Sequence, residues 1–181
     1  MLSIIEFELT EDGPYGNVGG SPWTDVNTFM ANGPLTAIEI RAGGAIDGLR
    51  ARYSKVQYCN LFFLLSTWVL QPDFKNIFYL RYNNTWGDWH GGTGGSLFSF
   101  ESMVIGANGV ETYGNSQVDG LVFRGKDGTN YGPYGGTSGT YWETSIPSGC
   151  SVQYISGRTG LLLDAISFHY SCSTPAGMNI T

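Results

Sequence analysis

Three glycine-rich stretches of one pattern recur along the chain: GPYGNVGGS at 13–21, HGGTGGS at 90–96 and GPYGGTSGT at 132–140. They align without gaps, so Gly20, Gly95 and Gly139 correspond. A second series interleaves with the first. GGAIDGL ends at Leu49, NSQVDGL at Leu121 and GLLLDAI at Ile166, which makes Asp47, Asp119 and Asp164 equivalent. A repeat on this scale means several copies of one supersecondary unit, none of which can bury its apolar face alone. Gly20 and Gly95 stand 75 residues apart but Gly95 and Gly139 only 44, and the aspartates are spaced by 72 and then 45. Both series therefore place an extra segment of about 29 residues between Asp47 and Gly95, and removing it restores a period of about 45. RARY before the segment and YLRY at its end bracket it at about residues 54–82.

Each repeat carries alternating apolar and polar runs, such as LTAIEIRA at 35–42 and SVQYISG at 151–157. The aspartates are followed by the strand-like runs LRARY, LVFRG and ISFHY. No stretch repeats apolar residues at helical spacing over three turns. The 27 glycines would each cost a helix interior about 1 kcal/mol, so the fold class is all-β. Four short strands in about 45 residues make one Greek-key sheet, and three such sheets can bury their inner faces only against each other. The expected architecture is a three-sided prism of three four-stranded Greek-key sheets with pseudo-threefold symmetry. At 181 residues the chain has room for one such domain, 1–181, with its core at about 13–170 and the insertion at about 54–82.

Charge excludes several partners. The net charge is −6 and nine Lys plus Arg stand scattered singly in the sequence, which gives no footprint for nucleic acid or an anionic membrane. The apolar run CNLFFLLSTWVL at 59–70 is shorter than the roughly 20 residues a membrane span needs, so no membrane insertion is expected. A docking or oligomerisation patch, giving a homo-oligomer, is one reading of that segment; a stretch without a fitted role is the other. Three cysteines, Cys59, Cys150 and Cys172, are too few and too uneven for a disulfide framework, although a hairpin between them would let Cys150 and Cys172 face each other, which leaves their pairing open. The N-terminus MLSIIEFELTEDG lacks the basic start of a signal peptide, so the chain as written reads as cytoplasmic, and as secreted if the N-terminus is incomplete.

A neutral sugar must have its hydroxyls met by fixed acceptors and donors without a large field. A carboxylate accepts from two adjacent hydroxyls at once, and charged acceptors give the stronger bonds. Glycine loops expose backbone N–H donors because no Cβ shields the approach. A GG loop facing a G-x-x-x-D turn thus forms a shallow pocket with acceptor and donors on opposite sides. The spacing alone is not specific. Glycine and aspartate are also ordinary turn residues, and what raises the pattern is its recurrence at equivalent points, Gly43 to Asp47 and Gly160 to Asp164. The third copy has Asn115 at the glycine place and Ser138 in its loop, so there a plain turn is as good a reading.

GPYGNVGGSPWTD, RAGGAIDGL, GPYGGTSGTYW and SGRTGLLLDAISFHY together closely resemble the jacalin-related lectins, a family with the β-prism fold. The resemblance runs from about Gly13 to Tyr170, excluding the insertion, and is most specific toward the C-terminus. It implies a primary carbohydrate site uniting Gly20 with Gly160, Leu161, Leu162 and Asp164. There Asp164 accepts from the sugar 4- and 6-hydroxyls, and the amides of Gly20, Leu161 and Leu162 donate. It also implies a second site formed by Gly94 and Gly95 with Gly44, Ala45 and Asp47, within reach of displacement by the insertion. A third, Gly139 with Asp119, matches in position more than in chemistry. The galactose-binding branch is cleaved near the first glycine loop; here that loop is continuous from Gly13 to Trp23, which implies mannose- or glucose-containing glycans and glycoproteins as partners.

No pair of carboxylates across one cleft and no G-x-S-x-G elbow marks an enzyme, and no cofactor or metal is implied. His90 and His169 lack metal-ligand companions and read as structural. Tyr134, Tyr141 and Trp142 read as packing aromatics, and Arg158 as bound to backbone carbonyls. Two other readings compete: a β-prism that has lost sugar binding and associates with protein, and the targeting domain of a larger membrane-acting protein.

Overall fold

The computed structural model describes residues 8–60, 78–100, 105–125 and 128–172. Three antiparallel sheets enclose one core. The first orders its strands β1 (Thr10–Gly16), β13 (Leu163–Cys172), β12 (Cys150–Thr159) and β2 (Ser21–Thr24). The second orders β5 (Phe78–Trp86), β4 (Ile46–Asn60), β3 (Leu35–Ala42) and β7 (Ser96–Phe100), with the short β6 (His90–Gly91) also on β4. The third orders β10 (Asn130–Gly135), β9 (Val118–Gly125), β8 (Ile105–Gly114) and β11 (Thr140–Glu143).

All three sheets share one plan: an inner hairpin, flanked by two outer strands that a loop connects. In the second sheet the strand before the loop is broken in two, because β5 pairs with β4 from Arg52 outward and β6 pairs at Gly48 and Leu49. The pseudo-threefold β-prism expected from the repeats is the fold observed.

Period-two alternation supplies the core. Ile38 and Ile40 of β3, Leu49 and Ala51 of β4, Leu121 and Phe123 of β9, Ile155 of β12, and Ile166 and Phe168 of β13 are buried in one cluster drawn from all three sheets. Each of the Ile, Leu and Phe side chains contributes about 1.5–3 kcal/mol when taken out of water, which no single sheet could achieve with one open face. Cys150 and Cys172 sit opposite each other in the β12–β13 ladder and form a disulfide. The one helix among the described residues, α1 (Val26–Asn32), packs beside β12 and β4.

Residues 54–60 and 78–82 prolong β4 and β5 as a two-stranded ribbon, in unbroken register from Arg52↔Trp86 to Asn60↔Phe78. The equivalent β9–β10 ladder begins at Arg124↔Asn130. Most of the apolar run at 59–70 lies outside the described residues. No helix among the described residues is long and apolar enough to cross a membrane.

Candidate functional site

The Greek-key plan explains why glycine loops meet aspartates. A loop that joins the two outer strands must cross the end of the inner hairpin, and the hairpin turn there carries the aspartate. Loop 17–20 thus crosses the 160–162 turn, loop 92–95 the 43–45 turn, and loop 136–139 the 115–117 turn. One backbone bond seats each loop: Asn17 N–H donates to Asp164 O at 2.9 Å, Gly92 N–H to Asp47 O at 2.7 Å, and Gly136 N–H to Asp119 O at 2.8 Å. The turns match as well, with Gly160 N–H donating to Leu162 O and Gly43 N–H to Ala45 O.

At the first two loops the carboxylate lies directly beneath the glycines. A Cβ on Gly19 would stand 2.7 Å from Asp164 Oδ1, and one on Gly20 2.5 Å from Oδ2. In the second copy a Cβ on Gly94 would overlap Asp47 Oδ1, and one on Gly95 would stand 2.7 Å from Oδ2. Gly20 and Gly95 also adopt positive φ, 60° and 68°, which side chains resist. Glycine is therefore required at all four places by space, and at Gly20 and Gly95 by backbone as well. Among the described residues neither the Asp164 nor the Asp47 carboxylate accepts a hydrogen bond, and both are half-buried. They are fixed, unpartnered acceptors at the floor of a glycine-lined pocket.

The third copy differs in chemistry. The atoms nearest Gly139 belong to the Asn115 side-chain amide and the Gly114 backbone, and Gln117 Nε2 donates to Asp119 Oδ1 at 3.0 Å. Asn115, in the place of Gly43 and Gly160, occupies the space beneath the loop, and the local carboxylate already has a donor.

Arginine fixes the first loop from below. Arg158 donates from Nε to Gly19 O at 2.7 Å and from Nη2 to Gly20 O at 2.8 Å, the backbone role expected of it. Arg41 holds the same register position in the second sheet but makes one longer bond, Nη1 to Thr93 O at 3.3 Å. The third sheet has Tyr113 there. Gly19 and Arg41 were not among the residues picked out from the sequence. The gap-free alignment of Gly19 with Gly94, and the shared R-x-G-x-x-x-D spacing at Arg41 and Arg158, were the signals that carried them.

Scattered in sequence, three arginines are neighbours in space. Arg41 and Arg50 lie over Trp89 and Arg50 and Arg52 over Trp86, at 4.7–5.6 Å from the ring centroids, and Glu39 pairs with Arg50 at 2.7 Å. A two-residue step along β4 and a diagonal neighbour on β3 put all three on one sheet face.

His90 is held in the interior: its Nε2 lies 2.8 Å from Asp25 Oδ1, and its ring stacks on Trp23 with centroids 3.7 Å apart. Asp25 also accepts from Tyr53 at 2.7 Å; burial, then the Asp25 charge, push the Tyr53 hydroxyl far above its ordinary range. Tyr134 packs on Phe98 and Phe100, and Trp142 approaches Tyr15. Tyr141, 49% exposed, packs on the Tyr113 ring with centroids 5.4 Å apart and is hydrogen-bonded to Glu143. Val18 and Leu161, 84% and 89% exposed, stand as an apolar rim at the first pocket.

Three Greek-key sheets with carboxylate-floored glycine loops at one end of the prism define a lectin-type binding protein rather than an enzyme. The chain belongs to the jacalin-like lectin domain family, whose model matches residues 73–169, more than half of its length. It is similar to zymogen granule membrane protein 16 of Rattus norvegicus, 28% identical over 173 residues that cover 93% of this chain and 84% of the relative. The Mus musculus protein of the same name is 27% identical with the same coverage. Among solved structures, the fold is similar to AcmJRL, a mannose-binding jacalin-related lectin from Ananas comosus, with a TM-score of 0.66 at 20% identity, covering 91% of this chain and 99% of that one. An artocarpin–mannotriose complex gives a TM-score of 0.63 at 23% identity, covering 91% and 98%. Family membership makes the chain a carbohydrate-binding, non-enzymatic protein.

Proposed function

We propose that the protein binds mannose- or glucose-type glycans at two pockets of one design. The primary pocket is Gly20 with Gly160, Leu161, Leu162 and Asp164; the second is Gly94 and Gly95 with Gly44, Ala45 and Asp47. The observation that carries this reading is the matched placement of two unpartnered carboxylates beneath two glycine loops. Adjacent sugar hydroxyls donate to the two oxygens of each aspartate, and amides of the loop and turn donate back to sugar oxygens. Gly19 joins the primary pocket by the same geometry that admits Gly94 to the second. The mannose-binding descriptions of the structural neighbours agree with this preference. Asp119 with Gly139 is left out, because Gln117 and Asn115 already occupy the partners a sugar would need. Shallow pockets of this kind bind weakly one by one, and two on one prism raise avidity for multivalent glycans.

Titration calorimetry with methyl α-mannoside tests the assignment. Wild type should bind two equivalents, and Asp164→Ala or Asp47→Ala one each. A double variant that still binds two equivalents, or a wild type that binds none, would overturn it.

A further inference from the structure

The second glycine loop touches more than its own pocket. Gly92, whose amide is bonded to Asp47 O, also lies against the primary pocket's turn: a Cβ there would overlap Leu161 O, with Leu161 C at 3.4 Å. A separate contact, at the same end of the second loop, reaches the strand that follows the first loop. Trp23 follows the first loop by three residues and pairs with Gly157, while His90 immediately precedes the second loop's Gly91 and Gly92 and pairs with Leu49. Their rings stack at 3.7 Å and within 9° of parallel. Asp25, 3% exposed, holds His90 in that place and is itself held by Tyr53 and by its amide's bond to Ile155 O. The indole Nε1 of Trp23 is buried without a hydrogen-bond partner among the described residues, so packing, on His90 and over Gly157, orients that ring.

From these contacts we infer that the two saccharide pockets form one coupled unit. The second glycine loop is a shared wall, and Trp23, His90 and Gly92 are positioning residues for both pockets. This rests on the two-pocket reading above. Rigid elements packed at two points transmit a displacement rather than absorb it, because a packed interior resists continuous deformation. Ordering of the second loop by sugar in its own pocket therefore presses on the Leu161 turn and on Trp23. Substitution of a second-loop glycine that touches no sugar in the primary pocket nevertheless weakens that pocket. The third loop repeats the contact: Gly136 lies against Gly44 O of the second pocket's turn, so each of the two G-x-x-x-D turns is backed by the next loop.

The test uses the full chain and methyl α-mannoside. In the Asp47→Ala protein, which keeps only the primary pocket, adding Gly92→Ala is expected to weaken binding at least tenfold while the unfolding midpoint moves by only a few degrees. In the Asp164→Ala protein, which keeps only the second pocket, NMR titration is expected to shift the Trp23 indole N–H and the Leu161 and Leu162 amides as sugar binds. A primary-pocket affinity within twofold of the Asp47→Ala parent in a folded Gly92→Ala protein overturns the coupling. So do Trp23 and Leu161 signals that stay still during the titration, and that measurement decides alone if Gly92→Ala does not fold. Failure of both parent variants to bind sugar is a separate result, which removes the pocket assignment itself.

Discussion

Arg158→Ala should cost the primary pocket about a factor of ten, and the reason is local. The guanidinium makes two charge-assisted bonds, at 2.7 and 2.8 Å, to the carbonyls of Gly19 and Gly20. Bonds to charged groups are each worth about 1.5–3 kcal/mol net, but both carbonyls lie near the surface and water replaces much of what is lost. What water does not replace is order. Two consecutive glycines regain backbone freedom worth about 1–2 kcal/mol per residue when unpinned. A net loss of about 1.4 kcal/mol lowers the binding-competent fraction of the loop to roughly a tenth, which raises the apparent Kd tenfold. Arg158→Lys, keeping charge without the fork, should fall between wild type and alanine. Arg41→Ala should cost the second pocket only about two- to threefold, since one bond at 3.3 Å is weaker than two short ones. Calorimetry with methyl α-mannoside, on Arg158→Ala in an Asp47→Ala background and on Arg41→Ala in an Asp164→Ala background, isolates each pocket. An Arg158→Ala affinity within twofold of its parent would refute the reasoning, as would equal costs at the two pockets.

Two stability predictions follow from the first sheet. Reducing the Cys150–Cys172 disulfide, whose cysteines are 22 residues apart, should remove about 3 kcal/mol through the freed unfolded chain, seen in calorimetry as a midpoint lower by roughly 10 °C; an unchanged midpoint under reductant would contradict it. His169 stacks on Tyr154 and meets Ser156 at 2.7 Å, and burial lowers its pKa below the ordinary 6.5 although Glu11 opposes the shift. Because the folded pKa is depressed, the unfolded chain takes up the proton first, so this contribution is present above pH 6.5 and is lost as pH falls through the folded value. His169→Gln should therefore flatten the acid limb of the stability–pH curve, and an unchanged limb would show that other groups dominate it.

Much of the candidate site was legible because repetition was. Gly20 and Gly95, with Asp47 and Asp164, stood out as equivalent members of two interleaved series, and strand alternation around them set the sheets. Gly19 and Arg41 carried the same signals, but a glycine among 27 and an arginine on a strand have no distinguishing chemistry until the turn beneath them is known. The different chemistry of the third copy was half legible. Asn115 and Ser138 marked a departure, whereas the bond from Gln117 to Asp119 depends on side-chain direction.

The sequence by itself determined the number of repeats, the all-β class and the equivalence of Gly20 with Gly95 and of Asp47 with Asp164, because periodicity and turn chemistry are local properties of the chain. Only the tertiary structure decided who stands next to whom. It placed the second loop against Leu161, stacked His90 on Trp23 over a buried Asp25, and drew Arg41, Arg50 and Arg52 onto one face with Trp86 and Trp89. These contacts join residues of different repeats or different strands, and they exist only once three sheets have closed on a common core.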